Sequence, residues 1–210
     1  MIILFDLDGT LIESTEAITS TFHHAFDLCG GEHPTDTQIQ ALIGHPLDVM
    51  FCRLGVKESK VWDYVDAYKQ KYRTISKIKT ELLADAREAI ELASTFATLG
   101  IVTTKTGLYS QELMEHFGVM QYFKVLIGRE HVEHPKPHAE PILKALEAMP
   151  KDDEIWMIGD TRMDLVSAKE AKVNSIGVLS GFDTKEELQK HTNHIYNTTY
   201  EAVKFLNTLS

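Results

Sequence analysis

Two carboxylates one residue apart, Asp6 and Asp8, end an apolar run, Ile2–Phe5, and Gly9 and Thr10 follow at once. In a parallel sheet the ligand crevice lies beyond the carboxyl ends of the strands, so acids placed there face whatever the protein binds. Two carboxylates this close repel when both are ionised, and the usual compensation is a divalent cation. Hard oxygen donors suit Mg²⁺. The alternative is a plain turn, since Asp and Gly are common turn residues.

Three further segments weigh against the plain turn. Ile101-Val102-Thr103-Thr104-Lys105 ends a second apolar run in two hydroxyls and an amine, groups that suit phosphate oxygens. Taken alone, Thr103 and Thr104 read equally as a helix cap. Lys136 stands between Pro135 and Pro137, whose fixed φ angles display its ammonium from a stiff loop, although a lone lysine is more often a solvated charge. Ile155 to Ile158 runs into Gly159, Asp160 and, four residues later, Asp164. That spacing puts both carboxylates on one side of a loop and a first helical turn.

The elements that position these groups follow from the pattern. Ile2–Phe5, Ile101–Thr104, Val125–Ile127, Ile155–Ile158 and Ser175–Leu179 are short Ile- and Val-rich runs. Amphipathic segments separate most of them, which predicts an α/β fold: a Rossmann-like parallel sheet with helices on both faces. Helices are predicted from a capping Ser110 to Gly118, from Pro141 to Met149 with Ile142, Leu143, Leu146 and Met149 as its apolar set, from Leu165 to Ala171 and from Tyr200 to Leu209. Residues 14–79 break the alternation with helical patterns alone. Ile18, Phe22, Ala25, Phe26 and Cys29 form one set, closed by Gly30-Gly31; Val61, Val65, Tyr68, Tyr72 and Ile75 form another. Thr35 to Gln38 has the form of a capping box. The expected organisation is a core of residues 1–13 and 80–210 with an inserted helical cap over 14–79, since a structureless loop of that length is improbable.

Four complementary groups in this order resemble the haloacid dehalogenase-like hydrolase superfamily, in its phosphoglycolate phosphatase-like branch. Asp6-Leu-Asp8-Gly-Thr10 paired with Gly159-Asp160-Thr-x-x-Asp164 carries the resemblance, and the insertion falls where that family has its cap. The resemblance implies a phosphatase acting on a small phosphate monoester through an aspartyl-phosphate on Asp6, with Asp8 as acid and then base. It implies Mg²⁺ held by the carboxylates of Asp6 and Asp160 and the backbone carbonyl of Asp8. Thr103 and Lys136 are the implied phosphate ligands, with Gly9, Thr104 and Lys105 as accessory contacts and Thr10 in support. Asp164 either orients Lys136 or a metal-bound water, or caps a helix. Gly44 either lets the cap backbone approach substrate or stops a helix. His23, His24 and Arg53 are cap residues able to meet a second charge, though a solvated or core role is commoner. His131, His134 and His138 lack metal-ligand spacing.

The bulk composition narrows the partners. A net charge of −10 over 210 residues argues against general nucleic-acid affinity and leaves small anions open. Cys29 and Cys52 have no metal or redox spacing and read as buried thiols in a reducing compartment. The chain opens directly on Met1-Ile2-Ile3-Leu4 and holds no long apolar run, so a cytoplasmic protein without a membrane span is expected, as monomer or homodimer. The rivals are a phosphosugar mutase, a pyrophosphatase, a C–P hydrolase using Lys57 or Lys60, a dehalogenase, and a non-catalytic phosphate-binding protein. Asp164, where mutase-like members carry a small residue, favours hydrolysis.

Overall fold

The structure, a computed structural model, describes residues 1–151 and 154–210. The chain divides into two compact units, Met1–Glu13 with Leu82–Ser210, and Ser14–Glu81.

The first unit is built on six parallel strands: β1 (Ile2–Phe5), β4 (Thr98–Val102), β5 (Phe123–Ile127), β6 (Ile155–Gly159), β7 (Asn174–Val178) and β8 (Ile195–Tyr196). Their order is β5-β4-β1-β6-β7-β8. Two-residue strands β2 (Ile12–Glu13) and β3 (Glu81–Leu82) pair separately. Successive strands step outward from β1 on one side and then on the other, so the order reverses at β1, the place where sheets of this kind open a crevice. Ile3 lies opposite both Leu99 and Trp156 in the ladder, which fixes β1 at the centre.

Both faces of that central strand are apolar because both are covered. Ile3 and Phe5 enter one core with Ile90 of α5 (Ala86–Ser94), Leu113 of α6 (Gly107–His116) and Val203 of α10 (Thr199–Asn207). Ile2 and Leu4 enter the other with Ile142 of α7 (Glu140–Glu147) and Ala168 of α8 (Arg162–Ala171). Each buried Ile or Leu contributes about 1.5–3 kcal/mol, so β1 is anchored from both sides. A short helix α9 (Lys185–Leu188) precedes β8.

The second unit is helical: α1 (Thr15–Cys29), α2 (Asp36–Gln40), α3 (Leu47–Arg53) and α4 (Val61–Lys79). Phe22, Phe26 and Phe51 pack with Tyr64 and Tyr68 as an aromatic core, and Tyr72 stacks on Tyr68. Thr35 and Gln38 form the capping box at α2.

Three expectations are corrected. Cys29 and Cys52 are exposed. Cys29 is the last residue of α1, past its packed face, and Cys52 follows Phe51, which takes the inward position on α3. Ser110 is not a cap: α6 starts at Gly107, and the Ser110 hydroxyl donates inside the helix to the Thr106 carbonyl at 2.9 Å. Leu143 is exposed, and the buried side of α7 is Ile142 and Ala145. Among the described residues no helix is long and apolar enough to cross a membrane.

Candidate active site

The end of β1 turns sharply. Asp6 still donates its N–H to Ile158 on β6 at 2.9 Å, and then the Leu7 carbonyl accepts from Thr10, Leu11 and Ile12 in succession. Gly9 makes the turn possible on two counts. Its φ of +80° is left-handed, and a Cβ there would stand 2.5 Å from Asp160 Oδ2. Asp6, Lys136, Asp160 and Asp164 are all buried, at 5%, 2%, 0% and 0% exposure.

Lys136 links the residue after β1, a residue of α8 and the end of β4. Its ammonium donates to Asp6 Oδ1 at 2.7 Å, to Asp164 Oδ1 at 2.5 Å and to the Val102 carbonyl at 3.0 Å. All three donors of an ammonium are thus engaged with protein oxygens. Burial works against its charge, but Asp164 and Asp6 outweigh that and raise its pKa above the ordinary lysine value. Asp164 does two things at once. Oδ1 takes Lys136, while Oδ2 accepts from the Thr161 N–H at 3.1 Å and hydroxyl at 2.8 Å, capping α8. The two alternatives left open by the sequence therefore coexist.

Asp160 accepts from the Thr10 hydroxyl at 3.1 Å and from the Phe182 N–H at 2.9 Å. Asp8 points elsewhere, its carboxylate 3.0 Å from the Lys105 ammonium. The Thr103 hydroxyl accepts from the Lys105 N–H at 3.2 Å, and Thr104 follows in the same loop after β4. The first N–H groups of α6, at Gly107 and Leu108, are taken by the Glu130 carboxylate at 2.8 and 3.2 Å. Those two N–H groups are therefore engaged within the protein. Gly44 belongs to the helical unit, with φ +100°, as do His23, paired with Asp36 at 2.6 Å, and Arg53, which donates to His45 at 2.8 Å.

The donor set fits Mg²⁺. Asp6, Asp160 and Asp164 each offer an oxygen, all within 4.8 Å of one another. Three buried carboxylates against one buried ammonium leave excess negative charge, and oxygen is the donor that Mg²⁺ prefers. Burial, with Lys136 opposing it, pushes Asp6 up to about 7, and burial together with Asp6 and Asp164 pushes Asp160 well above the usual carboxylate range. Carboxyls in that condition favour a nearby positive charge.

Several contributors carried no sequence motif. Ser180, Gly181, Phe182 and Asp183 follow β7 and surround Asp160, and the Thr199 hydroxyl donates to the Thr10 carbonyl at 2.6 Å. The available signal was positional: Ser180-Gly181 follows an apolar run, as Gly159-Asp160 does.

Residues 3–178 match the family of haloacid dehalogenase-like hydrolases. The chain is 31% identical over 194 residues to a 5'-nucleotidase of Pseudomonas aeruginosa, covering 90% of this chain and 87% of that one. It is 32% identical over 178 residues to the pyrophosphatase PpaX of Bacillus mycoides, covering 84% and 82%. A solved haloacid dehalogenase-like family hydrolase from Streptococcus pneumoniae superposes with a TM-score of 0.85 at 25% identity, covering 98% and 97%.

Proposed function

The chain belongs to the haloacid dehalogenase-like hydrolase family, and from that premise we propose that it is a Mg²⁺-dependent phosphatase of small phosphate monoesters with Asp6 as nucleophile. The observation that carries this reading is the buried Asp6 carboxylate, held 2.7 Å from Lys136 at the end of the central strand.

In this reading one Asp6 oxygen attacks phosphorus, and the ester P–O bond breaks. Asp8 gives its proton to the departing alkoxide, then takes one from the water that attacks the aspartyl-phosphate. The P–O bond to Asp6 breaks, and phosphate leaves with the Asp6 carboxylate restored. Lys105 fixes the orientation of the Asp8 carboxylate, and Lys136 fixes that of Asp6. The Thr103 hydroxyl, with Thr104 beside it, receives the phosphoryl oxygens; the Lys105 and Gly9 N–H groups already donate within the protein, to the Thr103 hydroxyl and the Ile12 carbonyl. Asp6, Asp160 and the Asp8 carbonyl would hold Mg²⁺, with Asp164 beside them. When bound, it supplies positive charge against the phosphate and the nucleophile. Phosphoryl transfer needs mainly positioning and charge stabilisation, and these groups provide both.

The relatives include a 5'-nucleotidase and a pyrophosphatase. The substrates to compare are therefore phosphoglycolate, the leading candidate by resemblance, nucleoside monophosphates, sugar phosphates and pyrophosphate.

The covalent step is tested by acid-quenching the enzyme during turnover, reducing with borohydride and mapping the modified peptide. Reduction of an acyl phosphate converts aspartate to homoserine, and it is expected at Asp6. Homoserine at another aspartate, or at none while turnover proceeds, would overturn the assignment.

A further inference from the structure

We propose that the loop Ser180–Asp183 positions Asp160 for its cation, and that Gly181 is there to bring the loop backbone against the Asp160 carboxylate. The inference rests on the reading of Asp160 as a cation ligand. It adds residues outside the four segments that mark the site in the sequence.

Four consecutive residues of this loop touch the site. The Ser180 hydroxyl donates to the Gly9 carbonyl at 2.8 Å, tying the loop to the turn after Asp8. The Phe182 N–H donates to Asp160 Oδ2 at 2.9 Å, and the Asp183 N–H approaches the Asp160 carbonyl at 3.4 Å. The Asp183 carboxylate accepts from the Arg162 N–H at 2.6 Å and from its guanidinium at 3.3 Å, closing the far side. Asp160 is thereby held through its carboxylate, its carbonyl and the residues around it.

Gly181 is the tightest point. A Cβ there would stand 2.0 Å from Asp160 Oδ2, 2.4 Å from Cγ and 2.6 Å from Cβ. Its backbone lies outside the left-handed region, unlike that of Gly9 at +80°, so what position 181 requires is space. A methyl group must displace either the loop or the carboxylate. Asp160 is already fixed on its other oxygen by the Thr10 hydroxyl, and its other neighbour is Gly9, where a Cβ would also clash at 2.5 Å. Mg²⁺ tolerates little departure from octahedral geometry, so a displaced carboxylate costs affinity. Groups that orient a metal ligand without touching the metal typically change affinity by about 10–100-fold when lost.

The test is cation binding without substrate, by calorimetric titration with Mg²⁺ and by the loss of the free Mn²⁺ electron-spin signal. Wild type, Gly181→Ala and Ser180→Ala are compared, each with its thermal unfolding midpoint in EDTA. Gly181→Ala is expected to bind about 10-fold more weakly or worse, and Ser180→Ala several-fold more weakly, with both unfolding cooperatively near the wild-type midpoint. Wild-type affinity in a folded Gly181→Ala protein overturns the inference alone. If Gly181→Ala fails to fold, wild-type affinity in Ser180→Ala overturns it instead. A wild-type protein that binds neither cation overturns the cation reading and this inference with it.

Discussion

Among the described residues Lys136 is the single positive charge buried against Asp6 and Asp164, and its removal leaves two carboxylates uncompensated. Lys136→Met is expected to destabilise by about 3–5 kcal/mol, read from urea denaturation, because breaking a buried pair strands its partners. A loss under about 1 kcal/mol would show that the ammonium compensates little. Asp6 gives a pH test. Its pKa rises from 3.8 to about 7, chiefly through burial. A carboxyl raised in the fold contributes stability below its unfolded value and loses it as pH rises through the folded one. In EDTA the thermal midpoint should therefore fall between about pH 4 and 7, and Mg²⁺ should restore more stability above that window than below it. A midpoint in EDTA that rises across the window would contradict the buried-carboxyl picture. At this scale Asp6, Asp8, Lys136, Asp160 and Asp164 were legible: the acids follow apolar runs, and Lys136 stands between two prolines. Gly181 and Phe182 were not, since they act through backbone approach and an N–H, which any residue name conceals.

The α6 start shows how one element can be set by another. Its first N–H groups are capped from across the chain by Glu130, so no local capping residue marks the boundary and Ser110 was a false signal. Burial works against ionisation of Glu130, but hydrogen bonds from the backbone, Gly107 first, outweigh it and lower its pKa. The stability it contributes is present above its unfolded value of 4.5 and lost as pH falls through the folded one. Glu130→Ala should cost about 1 kcal/mol at neutral pH and less in acid, compared by urea midpoints at both. An equal cost at both would remove the charge from the account of this helix. The four- and five-residue apolar strands were legible from composition, whereas β2, β3 and β8 have only two residues each and leave no period to read. Helix α5 also escaped notice: its buried side is Ala86, Ala89, Ile90 and Ala93, mostly small alanines in place of the bulky apolar residues that mark the other helices.

At the scale of the molecule, strand–helix alternation interrupted by a helical stretch was visible because period and residue type change together there. Each unit closes its own core, an aromatic one in Ser14–Glu81 and an aliphatic one on both faces of the sheet. Phe51→Ala, at the centre of the aromatic core, is expected to cost about 3–5 kcal/mol in unfolding of the helical unit, followed by near-ultraviolet circular dichroism. Retention of the full aromatic signal and stability would contradict that packing. The most direct test of the phosphatase reading is phosphate release from a panel of phosphate esters, with Mg²⁺ and with EDTA, by wild type and Asp6→Asn. Release that needs Mg²⁺ and vanishes in a folded Asp6→Asn protein is the expected result. Release that persists at near wild-type rate in Asp6→Asn, or none from any ester with wild type, would contradict it.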